Sequence, residues 1–554
     1  MEKNTILFNG VSVDTYTSVR ENAIISLLVK ERKLRYKDNP PVAAIVNGEL
    51  RSLMDEIPQN AHIETVKLFS PLGRRVYRKT LCFLLCYASS VLFPERSLVI
   101  GHSLGDGYYF SYRNKEKPDV EKLKAVMNDA IRNDMNINIV TLTSDDALYY
   151  AKSRNLTETE KLLSSRNDGS YRFSKLGSCM EMYYEPMLPS TKYLEVWDLI
   201  EYQDGLLLRY PQSRNDFQLM PFEDHPLLFS VFSQNKKLAG LIDLQSLGAL
   251  NEKQIQGHIE EIIMFSETMQ RRRFAEIGKM ILDRKKVKMV FIAGPSSSGK
   301  TTSSLKLCNE LKLNGYQPLK ISMDDYYLPV EEVPLDRYGE KNFEVLEALN
   351  LDLFRSQINS LLAGEDVHLS SFSIKEQQHH LRRDAVRMTE KTILVIEGIH
   401  GLNPELLPDI DKDVCFKIYI SALTQLNLDS RSRISTTDNR ILRRLVRDHR
   451  TRGLSAVETL SRWPSVERGE KSFIFPYQDF ADVMINSALE YEIGVLSTYA
   501  TPLLRSVKKE DGPAYTTARR LLSFLKLVYP IPSESVPNDS LLREFIGGSV
   551  YDVY

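Results

Sequence analysis

The chain has 554 residues, which is too long for one ordinary hydrophobic core and favours about three or four domains. Its 72 lysines and arginines balance 73 aspartates and glutamates, so the formal charge of -1 excludes a global field that would recruit nucleic acid or an anionic membrane. Five scattered cysteines, an N-terminus without a signal-peptide pattern and no apolar run of the roughly 20 residues that a membrane span needs predict a cytoplasmic protein with reduced thiols and no membrane partner.

The N-terminal part of the chain has the patterns of two modules followed by helices. Residues 1–65 contain short strand-like runs, and Asn47-Gly48 between two apolar stretches indicates a β-hairpin, so a small β-rich module is predicted. Residues 66–225 mix helical patterns with aromatic-rich strands such as GYYFSY and YLEVWDLIEY, which predicts an α+β domain. Over 226–285, apolar residues at helical spacing among dense charge predict a connecting helical segment.

From residue 286 onward the pattern changes to apolar runs without alternation, separated by amphipathic segments. The runs VKMVFIAG, KTILVIEG, VCFKIYIS and ADVMINSA are typical of strands that are buried on both faces. A parallel sheet with helices on both sides is therefore predicted within residues 286–554, which also include a C-terminal extension. The expected fold class is multidomain, with α+β modules preceding an α/β domain.

The motif GPSSSGKT at 294–301 matches the phosphate-binding loop pattern GxxxxGK[ST]. A buried strand precedes it and an amphipathic helix ended by Gly315 follows it, which is the order that phosphate binding needs. Backbone N–H groups of the loop and the helix N-terminus attract phosphate, Lys300 reaches the β and γ phosphates, and Thr301 binds magnesium. The predicted nucleotide-binding residues of this segment are Gly294, Pro295, Ser296, Ser297, Ser298, Gly299, Lys300, Thr301 and Thr302.

Acidic residues follow two of the strand-like runs. Asp324 and Asp325 end the run QPLKISMDDYY, where side chains of a parallel sheet face the crevice beyond the strand ends. A carboxylate there can accept the proton of a substrate hydroxyl as it attacks the γ phosphate, and a solvated turn is the alternative. Glu397 follows KTILVI and is predicted to hold the magnesium shell with Thr301, a loop charge being the alternative.

The segment RILRRLVRDHRTRG at 440–453 is dense in arginine. The arginines that recur at helical spacing are Arg440, Arg443, Arg444 and Arg447. Arg452 precedes Gly453, where the helix is predicted to end. Guanidinium groups suit a lid that folds over a triphosphate, and a solvated basic face or an RNA-binding helix is the alternative.

Four motifs, namely the phosphate-binding loop, SMDDYY, VIEGIHG and RRLVRDHRTRG, together resemble the uridine kinase and phosphoribulokinase family of P-loop kinases over about residues 286–500. The resemblance implies that Asp324 is the general base, that Tyr327 lies on the substrate side and that Glu397 is the magnesium-side acid. It places Glu344 in a stretch that contacts ribose hydroxyls and Phe372 on the strand that reads the base. The lid arginines that it implies are Arg443 and Arg444 for the nucleotide and Arg447 and Arg452 for catalysis, with Lys300 also catalytic.

The base-reading strand departs from the family pattern. The family has Tyr, Asp and Phe followed by a basic turn, whereas this chain has SSFSIKEQQHHLR, with Phe372 and Ser373 at the Tyr and Asp positions. The resemblance implies ATP and Mg²⁺ as cofactors and phosphoryl transfer to the 5'-hydroxyl of a nucleoside, uridine or cytidine. Another nucleoside or a sugar phosphate stays open as the acceptor, because base recognition has changed.

The N-terminal half resembles the two modules that precede the catalytic core of threonyl-tRNA synthetases. VNGELRSL resembles the β-grasp (TGS-like) module, and GDGYYFSY and SCMEMYYEPMLPSTKYL resemble the second, editing domain. That domain clusters three histidines and a cysteine. Here Lys79, Phe83 and Tyr183 stand at the histidine positions and only Cys179 remains.

The changed cluster implies that hydrolytic editing is lost and that this half binds RNA or a regulatory ligand. The alternative function is therefore an RNA-binding regulator with an ATP-sensing P-loop domain. The expected partners are a small-molecule nucleoside substrate and a second copy of the chain in a homo-oligomer.

Overall fold

The computed structural model describes residues 3–16, 24, 39–114, 116–166, 168–212, 217–373 and 378–551. It confirms the predicted combination of α+β modules with an α/β domain built on a parallel sheet. In the described part of the chain, none of the helices has both the length and the apolar character that a bilayer crossing needs.

The first sheet has five strands in the order β2-β1-β5-β3-β4. Asn47 and Gly48 connect β3 to β4 with φ values of 51° and 81°, so the predicted hairpin is confirmed. Both residues adopt the positive φ that a tight hairpin turn requires. The strands are β1 (Lys3–Phe8), β2 (Val11–Tyr16), β3 (Pro41–Val46), β4 (Glu49–Ser52) and β5 (His62–Lys67).

A long helix follows this sheet and packs between it and the next one. Helix α1 (Pro71–Leu92) buries Cys82 and Cys86 in a core that also contains Val42 of β3. Two antiparallel sheets come next, in the orders β11-β12-β7-β6 and β10-β9-β8. Their strands are β6 (Leu98–Leu104), β7 (Gly107–Tyr112), β8 (Asn138–Thr143), β9 (Ser170–Leu176), β10 (Cys179–Met182), β11 (Asp198–Tyr202) and β12 (Gly205–Arg209).

Three helices accompany these two sheets, and three more lead to the C-terminal part of the chain. The first three are α2 (Val120–Arg132), α3 (Ser144–Ser153) and α4 (Thr157–Ser164). The connecting helices are α5 (Pro226–Leu241), α6 (Leu247–Ile255) and α7 (Ile259–Asp283).

The C-terminal part contains a five-stranded parallel sheet in the order β14-β17-β13-β18-β19. Its central strands are buried along their length, as the unalternating apolar runs predict. The strands are β13 (Met289–Ala293), β14 (Gln317–Ser322), β17 (Thr392–Glu397), β18 (Cys415–Ser421) and β19 (Val483–Asn486). A separate antiparallel hairpin consists of β15 (Ser370–Ser373) and β16 (Gln378–Leu381).

The helices of this part lie against the sheet or in a layer of helices that pack on one another. They are α8 (Lys300–Leu313), α9 (Leu351–Leu362), α10 (Thr436–Arg452), α11 (Ala456–Phe473), α12 (Glu492–Arg505), α13 (Pro513–Leu525) and the short α14 (Arg543–Ile546). We call α10 the arginine helix.

One hydrophobic core joins the two halves of the chain. It combines side chains of the second N-terminal module, such as Phe173, with Leu250 of the connecting helices and Leu442 of the arginine helix. Burial of apolar surface is the main favourable contribution to folding, so this shared core couples the folding of the N-terminal half to that of the helical layer.

Candidate functional site

The phosphate-binding loop lies between β13 and α8, as the sequence predicts. Ser297 and Gly299 have φ values of 59° and 83°, which turns the backbone back over the helix N-terminus. A Cβ at Gly294 would lie 2.0 Å from the carbonyl oxygen of Ile420 on β18. The loop therefore needs glycine at its first position because the neighbouring strand leaves no room for a side chain.

Two of the predicted acidic residues lie at one edge of the sheet. Strands β14 and β17 are parallel neighbours with Ser322 opposite Glu397, so Asp324 emerges next to Glu397. The hydroxyl of Thr301 donates a hydrogen bond of 3.0 Å to Oε1 of Glu397. Asp324 is exposed to solvent. The structure thus brings Asp324, Thr301 and Glu397 together beside the loop.

Glu397 is the buried carboxylate at this edge of the sheet, and its surroundings shift its pKa. Burial raises the pKa of its carboxyl group, and the negative charge of Asp324 raises it further. Lys320 on β14 opposes this change, with its Nζ 3.6 Å from Oε1 of Glu397. Sequence reasoning missed Lys320, because a lysine inside a strand-like run carries no motif.

The edge fits a magnesium ion by the chemistry of its donors. Thr301 offers a hydroxyl oxygen and Glu397 a carboxylate oxygen, and Mg²⁺ prefers oxygen ligands and retains several waters. Within the described ranges, no group of three or more His, Cys, Asp or Glu side chains could hold a metal ion on its own. An ion here would therefore depend on phosphate oxygens as well as on the protein.

Glu344 lies close to the loop, on the side of helix α11. Gly469 of that helix makes room for it, because a Cβ there would lie 2.2 Å from the Cβ of Glu344. Burial raises the pKa of Glu344 to about 7, and the nearby carboxylate of Glu470 adds to the shift. The positive charges of Arg444 and Lys300 oppose it. Glu344 is thus poised to change charge near neutral pH.

The other two residues predicted on the substrate side are Tyr327 and Phe372. The hydroxyl of Tyr327 donates a hydrogen bond of 3.1 Å to the carbonyl of Phe343, next to Glu344. Phe372 lies on β15, opposite His379 of β16, and its side chain is outside the described part of the structure. The same hairpin is tied to the acidic edge, because the Ser370 hydroxyl donates a hydrogen bond to the carbonyl of Asp325.

The arginine helix supports the loop from behind. Nε of Arg440 donates to the carbonyl of Ser296 at 2.8 Å, and Nη1 of Arg444 donates to the Ser296 hydroxyl at 2.9 Å. Arg440 also pairs with buried Glu470, whose Oε1 accepts the backbone N–H of Ser296 at 3.0 Å. Glu470, which sequence reasoning missed, therefore holds both the loop backbone and the helix.

Arg443 differs from its predicted role. The family resemblance makes it a lid arginine for the nucleotide, whereas the structure buries its guanidinium completely between Glu492 and the carbonyls of Ser297 and Ser487. A buried guanidinium requires charged and hydrogen-bonding partners, and here these are protein groups. Arg443 thus contacts the loop backbone and not the solvent from which a nucleotide would enter.

The remaining lid arginines converge on one carboxylate. Asp448 is buried and accepts hydrogen bonds from Arg447 at 2.8 Å and Arg444 at 3.2 Å, with Arg452 at 3.6 Å. Of these, Arg452 is the most exposed. Because Arg440 and Arg443 are also buried, the arginines at helical spacing do not form the solvated basic face of the alternative interpretation, and the exposed arginines Arg450 and Arg452 are confined to the last turn.

The C-terminal segment also reaches the loop, a contact that no sequence motif indicated. Oε2 of Glu544, on the short helix α14, accepts the backbone N–H of Thr302 at 3.0 Å. The side chain of Leu541 covers Gly299, where a Cβ would lie 2.6 Å from it. Arg450 of the arginine helix holds this segment through the carbonyl of Glu544 at 2.9 Å. A protein carboxylate therefore accepts a hydrogen bond from one of the backbone N–H groups at the N-terminus of α8.

Comparisons with known proteins identify a family and several similar proteins. The sequence model of the Phosphoribulokinase / Uridine kinase family matches residues 289–493. A uridine kinase of Staphylococcus aureus (strain JH9) is 30% identical over 199 residues, which cover 36% of this chain and 86% of the kinase. A solved structure titled as a possible uridine kinase from Bacillus stearothermophilus has 18% identity and a TM-score of 0.28, covering 39% of this chain and 98% of its own.

An N-terminal region is similar to a different protein. A threonine–tRNA ligase of Carboxydothermus hydrogenoformans is 26% identical over 163 residues, which are 29% of this chain. The match spans 26% of the ligase, about a quarter of its length. The chain belongs to the phosphoribulokinase and uridine kinase family of P-loop kinases, with an N-terminal region similar to part of a threonyl-tRNA ligase.

Proposed function

We propose that the protein is a kinase that uses ATP and Mg²⁺ to phosphorylate the 5'-hydroxyl of a nucleoside, uridine or cytidine. The observation that carries this proposal is the position of Asp324, which lies exposed beside the bonded pair of Thr301 and Glu397 at the mouth of the phosphate-binding loop. Phosphoryl transfer needs these three functions in one place: a phosphate cradle, oxygen ligands for a metal and a proton acceptor.

The nucleotide side of the reaction depends on the loop. Backbone N–H groups and the N-terminus of α8 would attract the phosphates. Lys300, whose Nζ donates to the Pro295 carbonyl at 3.2 Å, would supply positive charge for the β and γ phosphates. Thr301 and Glu397 would hold Mg²⁺, which when bound neutralises charge on the phosphate oxygens. Arg452, the most exposed of the arginines around Asp448, would stabilise charge on the transferred group.

On the acceptor side, Asp324 would remove the proton of the attacking hydroxyl. The hydroxyl oxygen forms a bond to the γ phosphorus, the bond between that phosphorus and the β–γ bridging oxygen breaks, and ADP leaves. Asp324 can serve because it is reached from solvent and lies next to the metal-side acid. Tyr327 and Glu344 would line the approach of the acceptor.

The charges on this side favour an uncharged acceptor over a sugar phosphate. Burial raises the pKa of Tyr327 and the charges of Asp324 and Glu344 raise it further, so two acidic groups lie near it. Two arginines on this side have carboxylate partners. Arg382 pairs with Asp325 at 3.3 Å, and Arg468 lies 3.3 Å from Asp336. A second phosphate group on the acceptor would be repelled by the carboxylates, whereas ribose hydroxyls could donate hydrogen bonds to them.

The test is a screen of nucleosides and sugar phosphates for acceptor-dependent ATP consumption. We expect turnover with a pyrimidine nucleoside, and a loss of kcat of about a hundredfold or more in Asp324→Asn with nearly unchanged ATP binding. Asp325→Asn is the matched control, since Asp325 is the neighbouring carboxylate and pairs with Arg382. Consumption that no nucleoside stimulates, or equal activity of Asp324→Asn and the wild type, would contradict the proposal.

A further inference from the structure

The segment that leads into the arginine helix forms a fixed turn. Oδ1 of buried Asp429 accepts the backbone N–H groups of Arg431 at 2.9 Å and Ser432 at 2.8 Å. We call residues 429–432 the docking turn. Aspartate side chains commonly fix turns in this way, so the shape of the segment is set by its own sequence.

The docking turn inserts into the second N-terminal module. Nη1 of Arg431 lies 3.1 Å from Sγ of Cys179 and 3.2 Å from the carbonyl of Met180. The side chains of Arg431 and Cys179 are each at least nine-tenths buried. Cys179 is the one residue that matches the cluster of the synthetase editing domain, which this module resembles, and here its thiol faces a guanidinium of the same chain.

Further hydrogen bonds fix the turn in this pocket. The Ser432 hydroxyl donates to Oε1 of Glu181 at 2.9 Å and accepts from Nζ of Lys79 at 2.8 Å. Lys79, which stands at one of the former histidine positions, also pairs with Glu181. The Tyr184 hydroxyl donates to Oδ2 of Asp429 at 2.9 Å. Lys79, Glu181 and Tyr184 therefore hold the docking turn by hydrogen bonds.

The arginine helix begins four residues after the docking turn and is anchored to the same module. Asp438 in its first turn accepts hydrogen bonds from Arg75 of α1 at 3.1 Å and from Arg520 at 2.7 Å. Arg440 and Arg444, which hold the loop, are within two turns of Asp438, about 9 Å along the helix axis. One rigid element thus contacts the N-terminal module at one end and the phosphate-binding loop in its middle.

We propose that the synthetase-like half positions the phosphate-binding loop of the kinase through the docking turn and the arginine helix, with Arg431 and Ser432 as positioning residues. The pocket around Cys179 is then an internal socket, and it does not accept an RNA end or an aminoacyl group while the turn is docked. The proposal rests on nucleotide binding at the loop, which is part of the proposed function. A loop held less firmly would have to be ordered by the nucleotide itself, which weakens binding.

The test uses the full chain and compares Arg431→Met with the wild type in the Kd of MgATP, measured by calorimetry. We expect Kd to rise about tenfold, and Arg431→Lys to recover part of the loss because it keeps the charge and one hydrogen bond. Arg209→Met is the matched control. Arg209 is a similarly buried arginine whose guanidinium bonds Asp106 within the N-terminal half, so its loss should leave Kd unchanged.

The milder variant Ser432→Ala covers the case in which Arg431→Met does not fold, and it should raise Kd by about threefold. If Arg431→Met or Ser432→Ala folds and binds MgATP as tightly as the wild type, the positioning role is overturned. It is also overturned if Arg209→Met weakens binding equally, since a general loss of stability would then explain the effect. A wild type that binds MgATP but consumes it with no acceptor would contradict the proposed function alone, and one that binds no MgATP would contradict both.

Discussion

The two sides of the phosphate-binding loop differ in what faces them. On the sheet edge, Thr301 and Glu397 lie beside the exposed Asp324, so small molecules can reach the Asp324 carboxylate. On the other side, the N–H groups of Ser296 and Thr302 already donate to buried carboxylates of distant segments, Glu470 and Glu544. Backbone amides that attract phosphate also attract protein carboxylates. We call the side with Glu470 and Glu544 the closed side, and the side with Asp324, Thr301 and Glu397 the open side.

The largest effect is expected on the open side. Glu397→Gln should lower kcat at least about a hundredfold and raise the Mg²⁺ concentration needed for half-maximal activity, because an amide is a much weaker magnesium ligand than a carboxylate. A magnesium titration of the ATPase or kinase rate measures both. Glu405→Gln is the control, an exposed carboxylate in the loop that follows β17. If the rate of Glu397→Gln depends on magnesium as the wild-type rate does, Glu397 does not hold the metal ion.

A smaller effect is expected at Glu344, which lies between the two sides. Its pKa is raised from 4.5 to about 7 in the folded protein, so folding favours its protonated form. Its contribution to stability is present below pH 4.5 and is lost as the pH rises through 7. Between pH 5 and pH 8 the free energy of unfolding should therefore fall by roughly 2 kcal/mol more in the wild type than in Glu344→Gln.

Urea denaturation of both proteins at the two pH values measures this difference. Equal pH dependence of the wild type and Glu344→Gln would mean that Glu344 is ionised over the whole range. In that case the carboxylate would already be charged when an acceptor binds, and the open side would be more acidic than the pKa of about 7 indicates.

The smallest effect is expected on the closed side. Glu544→Gln should tighten the binding of ATP by about threefold, because the carboxylate at the N-terminus of α8 competes with phosphate and repels it. Calorimetric titration with ATP measures the change, and Glu534→Gln, an exposed carboxylate of the same C-terminal segment, should leave the affinity unchanged. Weaker binding in Glu544→Gln would show that the contact supports the loop and does not compete with the nucleotide.

Local patterns were enough to predict the open side of the site. The strand before the loop, the glycines within it and the acidic residues that end two strands depend on short segments, and parallel strand ends meet at one edge whichever helices surround them. The hairpin at Asn47-Gly48 was predictable for the same reason, since the turn conformation is a property of two residues.

The closed side and the docking of the two halves could not be predicted in this way. Arg431 meets Cys179 across 252 positions of the chain, and Thr302 meets Glu544 across 242. Helical spacing identifies the arginines but not their partners. The family resemblance assigns Arg443 to the nucleotide, although Glu492 and the carbonyls of Ser297 and Ser487 enclose it.

The sequence by itself determined the parallel sheet, the phosphate-binding loop and the identity of the acidic residues at the strand ends, because backbone conformation and burial leave local periodic patterns. Only the tertiary structure decided which arginines face the loop, which carboxylates complete its amides and what fills the pocket around Cys179. Pairing of buried charges depends on which segments meet in space, and a single polar residue gives the same local pattern whether it binds a ligand or another part of its own chain.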